Sequence, residues 1–309
     1  MKITQQQPAR SPRRLPRAGQ QEPAKESVHL AGQEVPVVGA SLGTKLALGL
    51  GALGGAALLT EVMVQVGSQA SLGAMVGAAG MSLGAAVTGY LVADLGSGFF
   101  HHAMDNYAKP TTPVVGEIAA LSRSHHYFAN SPEQNTVAGE MDPIAKLVGP
   151  AAAALAVLNP HYLLAAGSLA GLAGTLVAQT SHRLTHQRQT VLSQKLARFG
   201  LIQKQADHHA HHRAPWTSNY CFVNGACNRL LDSSNFWRRY ERAIFKISGV
   251  EPKGWKHPAV RDFALGKIDK TQFEQRFQAE IPQFKQAIRF EEEREISRTH
   301  LHTRFLGRS

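Results

Sequence analysis

The side chains best able to do chemistry in this chain are its histidines. Of 15, eleven lie between His101 and His212, and most fall in spaced groups: His101-x3-Asp105, His125-His126, His182-x3-His186 and His208-x2-His211-His212. Neutral imidazole is a versatile ligand for iron, copper and zinc. A spacing of four on a helix puts two rings on one face, one turn apart. His208, His211 and His212, at i, i+3 and i+4, can likewise share a face, whereas His102 and His209 point elsewhere and are set aside. One such pair is ordinarily a surface or core feature. Four groups supply seven or eight imidazoles, more than the roughly four ligands of a single zinc, and the expectation is a site for two metal ions. Asp105 is a further ligand or the acceptor that fixes a histidine tautomer. No cysteine lies in the groups, which argues against iron–sulfur and structural zinc sites. Imidazole suits iron with open positions for dioxygen. Zinc-dependent hydrolysis, with Asp105, Glu117 or Asp207 as base, stays open as an alternative. A histidine-rich metal store is a blander alternative, but it would not need its histidines tied to helix ends.

The elements that must carry these residues are apolar. No Asp, Glu, Lys or Arg occurs from Leu46 to Thr60, from Val62 to Ala93 or from Leu147 to His182. A bilayer-spanning helix needs roughly 20 mainly apolar residues, and the Ala and Gly in these runs suit close helix packing in lipid. The mean hydropathy of −0.19 averages this segregation away. The fold class expected is all-α: an integral membrane protein with about four transmembrane helices and a histidine-rich helical cap. The spans are expected at about 45–66, 71–100, 143–158 and 161–180. The second and fourth run straight into His101 and His182. Pro110, Pro113 and Pro132 break the stretch between the second and third spans, and Asn159-Pro160 ends the third.

Residues 1–40 read as a disordered, basic, Pro-rich tail, 41–257 as the membrane domain and 258–309 as a charged helical tail. In that last tail Phe273, Phe277, Ile281, Phe284 and Ile288 recur at helical spacing. The net charge of +11 points to nucleic acid or to an anionic membrane surface. The spans favour the membrane, so no nucleic acid partner is expected. Lys and Arg are absent from the turns near 67–70 and 159–160, while the N-terminal tail and segment 183–213 carry them. The positive-inside bias then places both termini and every histidine cluster on the cytosolic side of a multi-pass protein. His161 falls at the opposite face and is not expected to be a ligand. Cys221 and Cys227 imply no disulfide framework and fit a reducing compartment. A membrane metal transporter is the non-enzyme alternative, but it would place ionisable ligands near the bilayer midplane.

Several stretches between Gly98 and Lys253 resemble the Kua family of membrane lipid desaturases, which includes the plasmanylethanolamine desaturase and the plastid phosphatidylglycerol desaturase. They are Gly98-Phe99-Phe100-His101-His102-Ala103-Met104-Asp105, Ser124-His125-His126, Ser181-His182 with His186, and His208-His209-Ala210-His211-His212-Arg213-Ala214-Pro215. The more specific part follows: Tyr220-Cys221, Gly225, Asn228, Phe236-Trp237-Arg238-Arg239, Glu241, Gly249 and Pro252. The resemblance implies a di-iron centre held by His101, His125, His126, His182, His186, His208, His211 and His212, with Asp105 nearby and O2 as co-substrate. It implies desaturation of a membrane phospholipid: first an alkyl ether converted to the vinyl ether of a plasmalogen, or alternatively an acyl chain of the phosphatidylglycerol type. The segment Tyr127–Thr136 departs from the family pattern, and that departure bears on substrate. The chain has no His-Pro-Gly-Gly haem box and no dinucleotide-binding Gly pattern. Electrons are therefore expected from a cytochrome b5-like or ferredoxin-like donor. The basic segments 183–213 and 229–256 suit an acidic donor or anionic headgroups.

Overall fold

A computed structural model describes residues 40–113, 115–126, 141–213 and 216–282. Residues 1–39 of the expected tail 1–40, the divergent segment Tyr127–Thr136, and Phe284 and Ile288 lie outside the described residues. Among the described residues there is no strand. In chain order the helices are α1 (Leu42–Gly67), α2 (Leu72–Asn106), α3 (Gly116–Ser124), α4 (Asp142–Val157), α5 (Tyr162–His186), α6 (Val191–Arg198), α7 (Gln205–His211), α8 (Asn228–Ser233), α9 (Phe236–Ser248) and α10 (Pro258–Leu265). A 3-10 turn covers Lys253–Lys256, and a last helix begins at residue 270.

Three helices are long and apolar enough to cross a membrane: α1 with 26 residues, α2 with 35 and α5 with 25. The third expected span, at about 143–158, is the 16-residue α4, about 24 Å long at 1.5 Å per residue and shorter than the other three. It lies along α1. Ser41 and Ser71 cap α1 and α2 by accepting from the amides of Thr44 and Ala74. The helices meet through small residues. A Cβ on Gly54 would sit 2.5 Å from the Ala152 backbone, and one on Gly89 would collide with the Gly167 carbonyl. Close backbone approach of this kind is how helices associate without a hydrophobic driving force.

Polar ties close the two ends of the bundle. Near the start of α1, Asp142 accepts from Thr44, from Ser41 at 3.1 Å and from Lys146 at 2.7 Å. At the other end, Gln65 donates to the Pro160 carbonyl at 3.1 Å and accepts from the Tyr162 amide at 2.9 Å. The outer faces keep large apolar side chains exposed, among them Leu53, Leu83 and Leu147, as a lipid-facing surface requires. Residues after α5 pack over the histidine-bearing ends of α2 and α5. There Trp255, Ala259, Val260, Ala264 and Phe277 form a small core, with Phe273 and Ile281 packed against it. That core absorbs the described part of the C-terminal apolar stripe.

Candidate metal centre

Four elements deliver the histidines. The last turns of α2 carry His101 and Asp105, the end of α5 carries His182 and His186, and α7 carries His208 and His211 with His212 as its C-cap. His125 and His126 follow α3 directly. This short helix was not expected in the Pro-broken stretch. Ala119 and Ala120 are buried in it, and Ser122 donates to Asp105 Oδ1 at 2.7 Å.

The eight imidazoles and Asp105 gather into two sets: His125, His182, His186, His208 and His212, and His101, Asp105, His126 and His211. Within each set one ligand atom per residue lies within 4.8 Å of all the others. The sets adjoin, since the His126 ring is 4.7 Å from the rings of both His125 and His212.

The hydrogen-bond chemistry of the four-ligand set fixes its tautomers. His101 Nδ1 lies 3.0 Å from the Tyr220 carbonyl and His211 Nδ1 lies 2.8 Å from the Ser218 carbonyl. A carbonyl only accepts, so both Nδ1 atoms carry hydrogen, and in a neutral ring the Nε2 atom then presents a lone pair. Both Nε2 atoms face Asp105 Oδ2 at 3.4 Å, while His126 Nε2 stands 3.2 Å from the same oxygen. His211 is fully buried and its Nε2 has no hydrogen-bond partner. Acceptors facing acceptors in a buried space are unstable alone.

The five-imidazole set has the same property. His208 Nε2 is 2.7 Å from His186 Nε2 and 2.8 Å from His212 Nε2, and His182 Nε2 is 3.1 Å from His125 Nε2. A ring nitrogen offers one hydrogen or one lone pair, so at most one of the two His208 contacts is a hydrogen bond. Burial, and then the nearness of other histidines, holds His125, His208 and His212 well below the ordinary histidine range. Burial also lowers His126, against the pull of Asp105. Neutral rings are what metal ligation requires. A metal–imidazole bond of about 2.0–2.1 Å puts neighbouring ligand nitrogens about 3 Å apart, which is the spacing of these pairs. The donor chemistry of both sets therefore fits a divalent cation.

Comparison with known proteins gives the setting of these residues. Residues 90–255 match the lipid desaturase domain, more than half of the 309-residue chain. The chain belongs to the lipid desaturase family. It is 35% identical over 179 residues to "Fatty acid desaturase 4-like 1, chloroplastic" of Arabidopsis thaliana, covering 56% of this chain and 60% of the relative. It is 31% identical over 182 residues to "Fatty acid desaturase 4, chloroplastic" of the same plant, covering 56% and 55%. Similarity to "Plasmanylethanolamine desaturase" of Myxococcus xanthus is 28% over 177 residues, covering 55% and 63%. The chain thus spans about 55–63% of the length of these relatives. No solved structure matches. All nine clustered residues fall inside the matched lipid desaturase domain.

The remaining histidines of this region stand apart from both sets. His102 is fully buried, with Nε2 3.0 Å from Glu241 Oε1 and its ring stacked on Trp237 at 4.8 Å. Glu241 in turn accepts from Trp255 Nε1 at 2.9 Å. His209 is exposed, and His161 caps the far end of α5. Asp207 belongs to neither set, and the Glu117 side chain is outside the described residues.

Sequence reasoning missed Asp94 and Ser97, which help hold the cap on the membrane helices. Asp94 is fully buried in α2, where its Oδ1 accepts from the amides of Asn224 at 3.0 Å and Gly225 at 2.9 Å. Its Oδ2 accepts from the Cys227 amide at 3.0 Å. Ser97 accepts from the Phe222 amide at 3.0 Å. Gly98 is required by close approach, since a Cβ there would lie 2.5 Å from Cys221 Sγ. These contacts lay segment 220–228 on α2 and bring the Tyr220 carbonyl to His101. The available signal was Asp94 itself, the first charge after the uncharged run Val62–Ala93. Beneath the ligands, Phe222 stands 5.2 Å from the His101 ring and 5.8 Å from the His182 ring. With Val223, Ala178, Tyr90 and Ala93 it forms an apolar floor.

Proposed function

We propose that this chain is a membrane-bound, O2-dependent di-iron desaturase that introduces a double bond into a long saturated chain of a phospholipid. The observation that carries the reading is the pair of adjoining ligand sets, in which neutral imidazoles and one carboxylate turn their lone pairs on each other inside a lipid desaturase domain. His125, His182, His186, His208 and His212 would hold one ion, and His101, Asp105, His126 and His211 the other. Iron bound there would supply the reductive activation of O2 and the power to remove two hydrogens from an unactivated CH2–CH2 unit. The reaction balances as saturated chain plus O2, two electrons and two protons giving alkene and two waters.

The protein residues have distinct tasks in this scheme. The Tyr220 and Ser218 carbonyls aim the Nε2 lone pairs of His101 and His211, and Ser122 orients Asp105. The floor around Phe222 excludes water from the side of the bundle. The electrons come from a separate cytochrome b5-like or ferredoxin-like carrier, and the histidine end faces the cytosol by the positive-inside bias. Two chains are candidate substrates. The motif pattern puts the alkyl ether first, giving a vinyl ether. The 35% identity to a relative named as a fatty acid desaturase, against 28% for the plasmanylethanolamine desaturase, favours an acyl chain. Lipid mass spectrometry of cells that supply both substrates, O2 and a donor tests the proposal. A new double bond that disappears in His208→Ala is expected, and its position separates ether from ester. Unchanged lipids in every such host refute the desaturase reading.

A further inference from the structure

The helix α6 and residues Phe199–Leu201 after it belong to neither histidine set, yet they are built as an amphipathic element. Its inner side, Ser193 and Ala197, is buried against the protein. At about 100° per residue, Leu192 and Phe199 point within about 20° of each other. Lys195 and Arg198 flank this face on one side, about 60° and 120° round from Leu192, with Val191 between them, and Arg188 just before the helix adds a third exposed cation. Leu192 is 66% exposed and Phe199 75% exposed, with Val191 and Leu201 also open. Two large apolar side chains at that exposure, beside a row of cations, do not suit bulk water.

The position of this element indicates what covers it. Tyr90 on α2 donates from its hydroxyl to the Leu201 carbonyl at 2.6 Å, and Asn224 donates to the Gly200 carbonyl at 2.8 Å. Tyr90 stands eleven residues before His101, about 16 Å along the α2 axis at 1.5 Å per residue. Its helix neighbours Val87 and Leu91 are exposed and apolar. The strap after α6 is therefore pinned to the lipid-facing stretch of α2, inward of the histidines, and its open apolar surface continues that of the span. Leu230, also exposed, and Arg229 repeat the pairing of apolar side chain and cation on α8.

We propose that α6 and Phe199–Leu201 lie in the headgroup–acyl boundary of an anionic bilayer. Leu192, Phe199 and Leu201 enter the acyl region, and Arg188, Lys195 and Arg198 engage anionic headgroups. An amphipathic helix in this setting sinks its apolar face about 5–10 Å into the boundary and gains from anionic lipid. The proposal rests on α2 and α5 crossing the bilayer, and it adds a second, charge-selective contact that holds the metal-bearing cap at a fixed depth.

Spin labels on the full chain in nanodiscs provide the test. In a Cys227→Ser background, with Cys221 fully buried, labels are placed through Leu192→Cys, Phe199→Cys, Gln194→Cys and, on the exposed face of α2, Leu83→Cys. The readout is collision with O2 relative to a water-soluble nickel chelate. The labels at 192 and 199 should give a ratio several-fold above that at 194 and approaching that at 83. Adding Lys195→Glu with Arg198→Glu should lower the ratio at 192 in discs containing phosphatidylglycerol but not in pure phosphatidylcholine. A label at 192 as wet as 194 while 83 is deep overturns this proposal alone. Wet labels at both 192 and 83 overturn the membrane reading beneath it. A ratio at 192 indifferent to charge reversal in both lipids overturns the anionic contact.

Discussion

Asp94 offers the sharpest test of how the cap is held to the membrane helices. Its carboxylate is fully buried and accepts three backbone amides between 2.9 and 3.0 Å. A hydrogen bond to a charged group contributes about 1.5–3 kcal/mol net. Asp94→Asn keeps one oxygen for Asn224 and Gly225 but turns an NH2 toward the Cys227 amide. One bond is lost and two donors oppose, a cost of about 2–3 kcal/mol. Asp94→Ala strands three buried amides and should cost upwards of about 4 kcal/mol. In a thermal scan of purified protein at fixed rate, the Asn variant should drop by about 4–9 °C. Segment 220–228 then loosens, and with it the Tyr220 carbonyl that sets the His101 tautomer. Loss of such a supporting contact weakens metal binding about 10–100-fold, so Asp94→Asn should also lose metal at a lower chelator concentration. An Asn variant as stable as the parent would show that the carboxylate does not carry the anchor. A destabilised variant with unchanged metal retention would refute the link from Asp94 to His101.

Three further outcomes are expected. Asp105→Asn removes the only carboxylate in the two sets, and elemental analysis should find metal falling from about two ions to about one per chain, with the five-imidazole set still loaded. Gly98→Ala should cost about 1–3 kcal/mol by overpacking against Cys221 Sγ, and much less when combined with Cys221→Ala, so thermal scans of the two singles and the double should be non-additive. His209→Ala, at an exposed position outside both sets, should leave stability within about 0.5 kcal/mol and metal content unchanged.

Three of the four histidine groups were legible because their members lie three or four residues apart, and a period of 3.6 residues turns that spacing into a shared face. The spans were legible because charge is missing over lengths that match a bilayer. Length also sets α4 apart from the other spans. The expected third span, at about 143–158, is already short because Asn159-Pro160 ends it; the chain makes α4 of 16 residues and α5 of 25, and α5 but not α4 reaches the length of a crossing helix. The partition of the nine clustered residues into a five and a four was not legible. It depends on how α3 sets His125 toward one cluster and His126 toward the other, and adjacent residues have no fixed relation once a helix has ended.

The acceptors that aim the ligands were hidden for a different reason. His101 and His211 are fixed by the carbonyls of Tyr220 and Ser218, and every residue has a carbonyl, so no side-chain pattern announces one. What the sequence does mark is the apparatus that puts those carbonyls in place: Asp94 at the edge of an uncharged run, Gly98 where Cys221 presses in, and Asn228, which bonds both the amide and the carbonyl of Cys221 at 2.9 and 2.8 Å. Each looks unremarkable alone. Together they clamp segment 220–228 against the helix that carries His101 and Asp105. The orientation of His101, four residues from Asp105, is therefore set by a loop more than a hundred residues away in sequence. The Tyr220-Cys221, Gly225 and Asn228 pattern accordingly acts on the metal centre from behind, through backbone atoms, and its substitution should be read first in metal retention rather than in loss of a catalytic side chain.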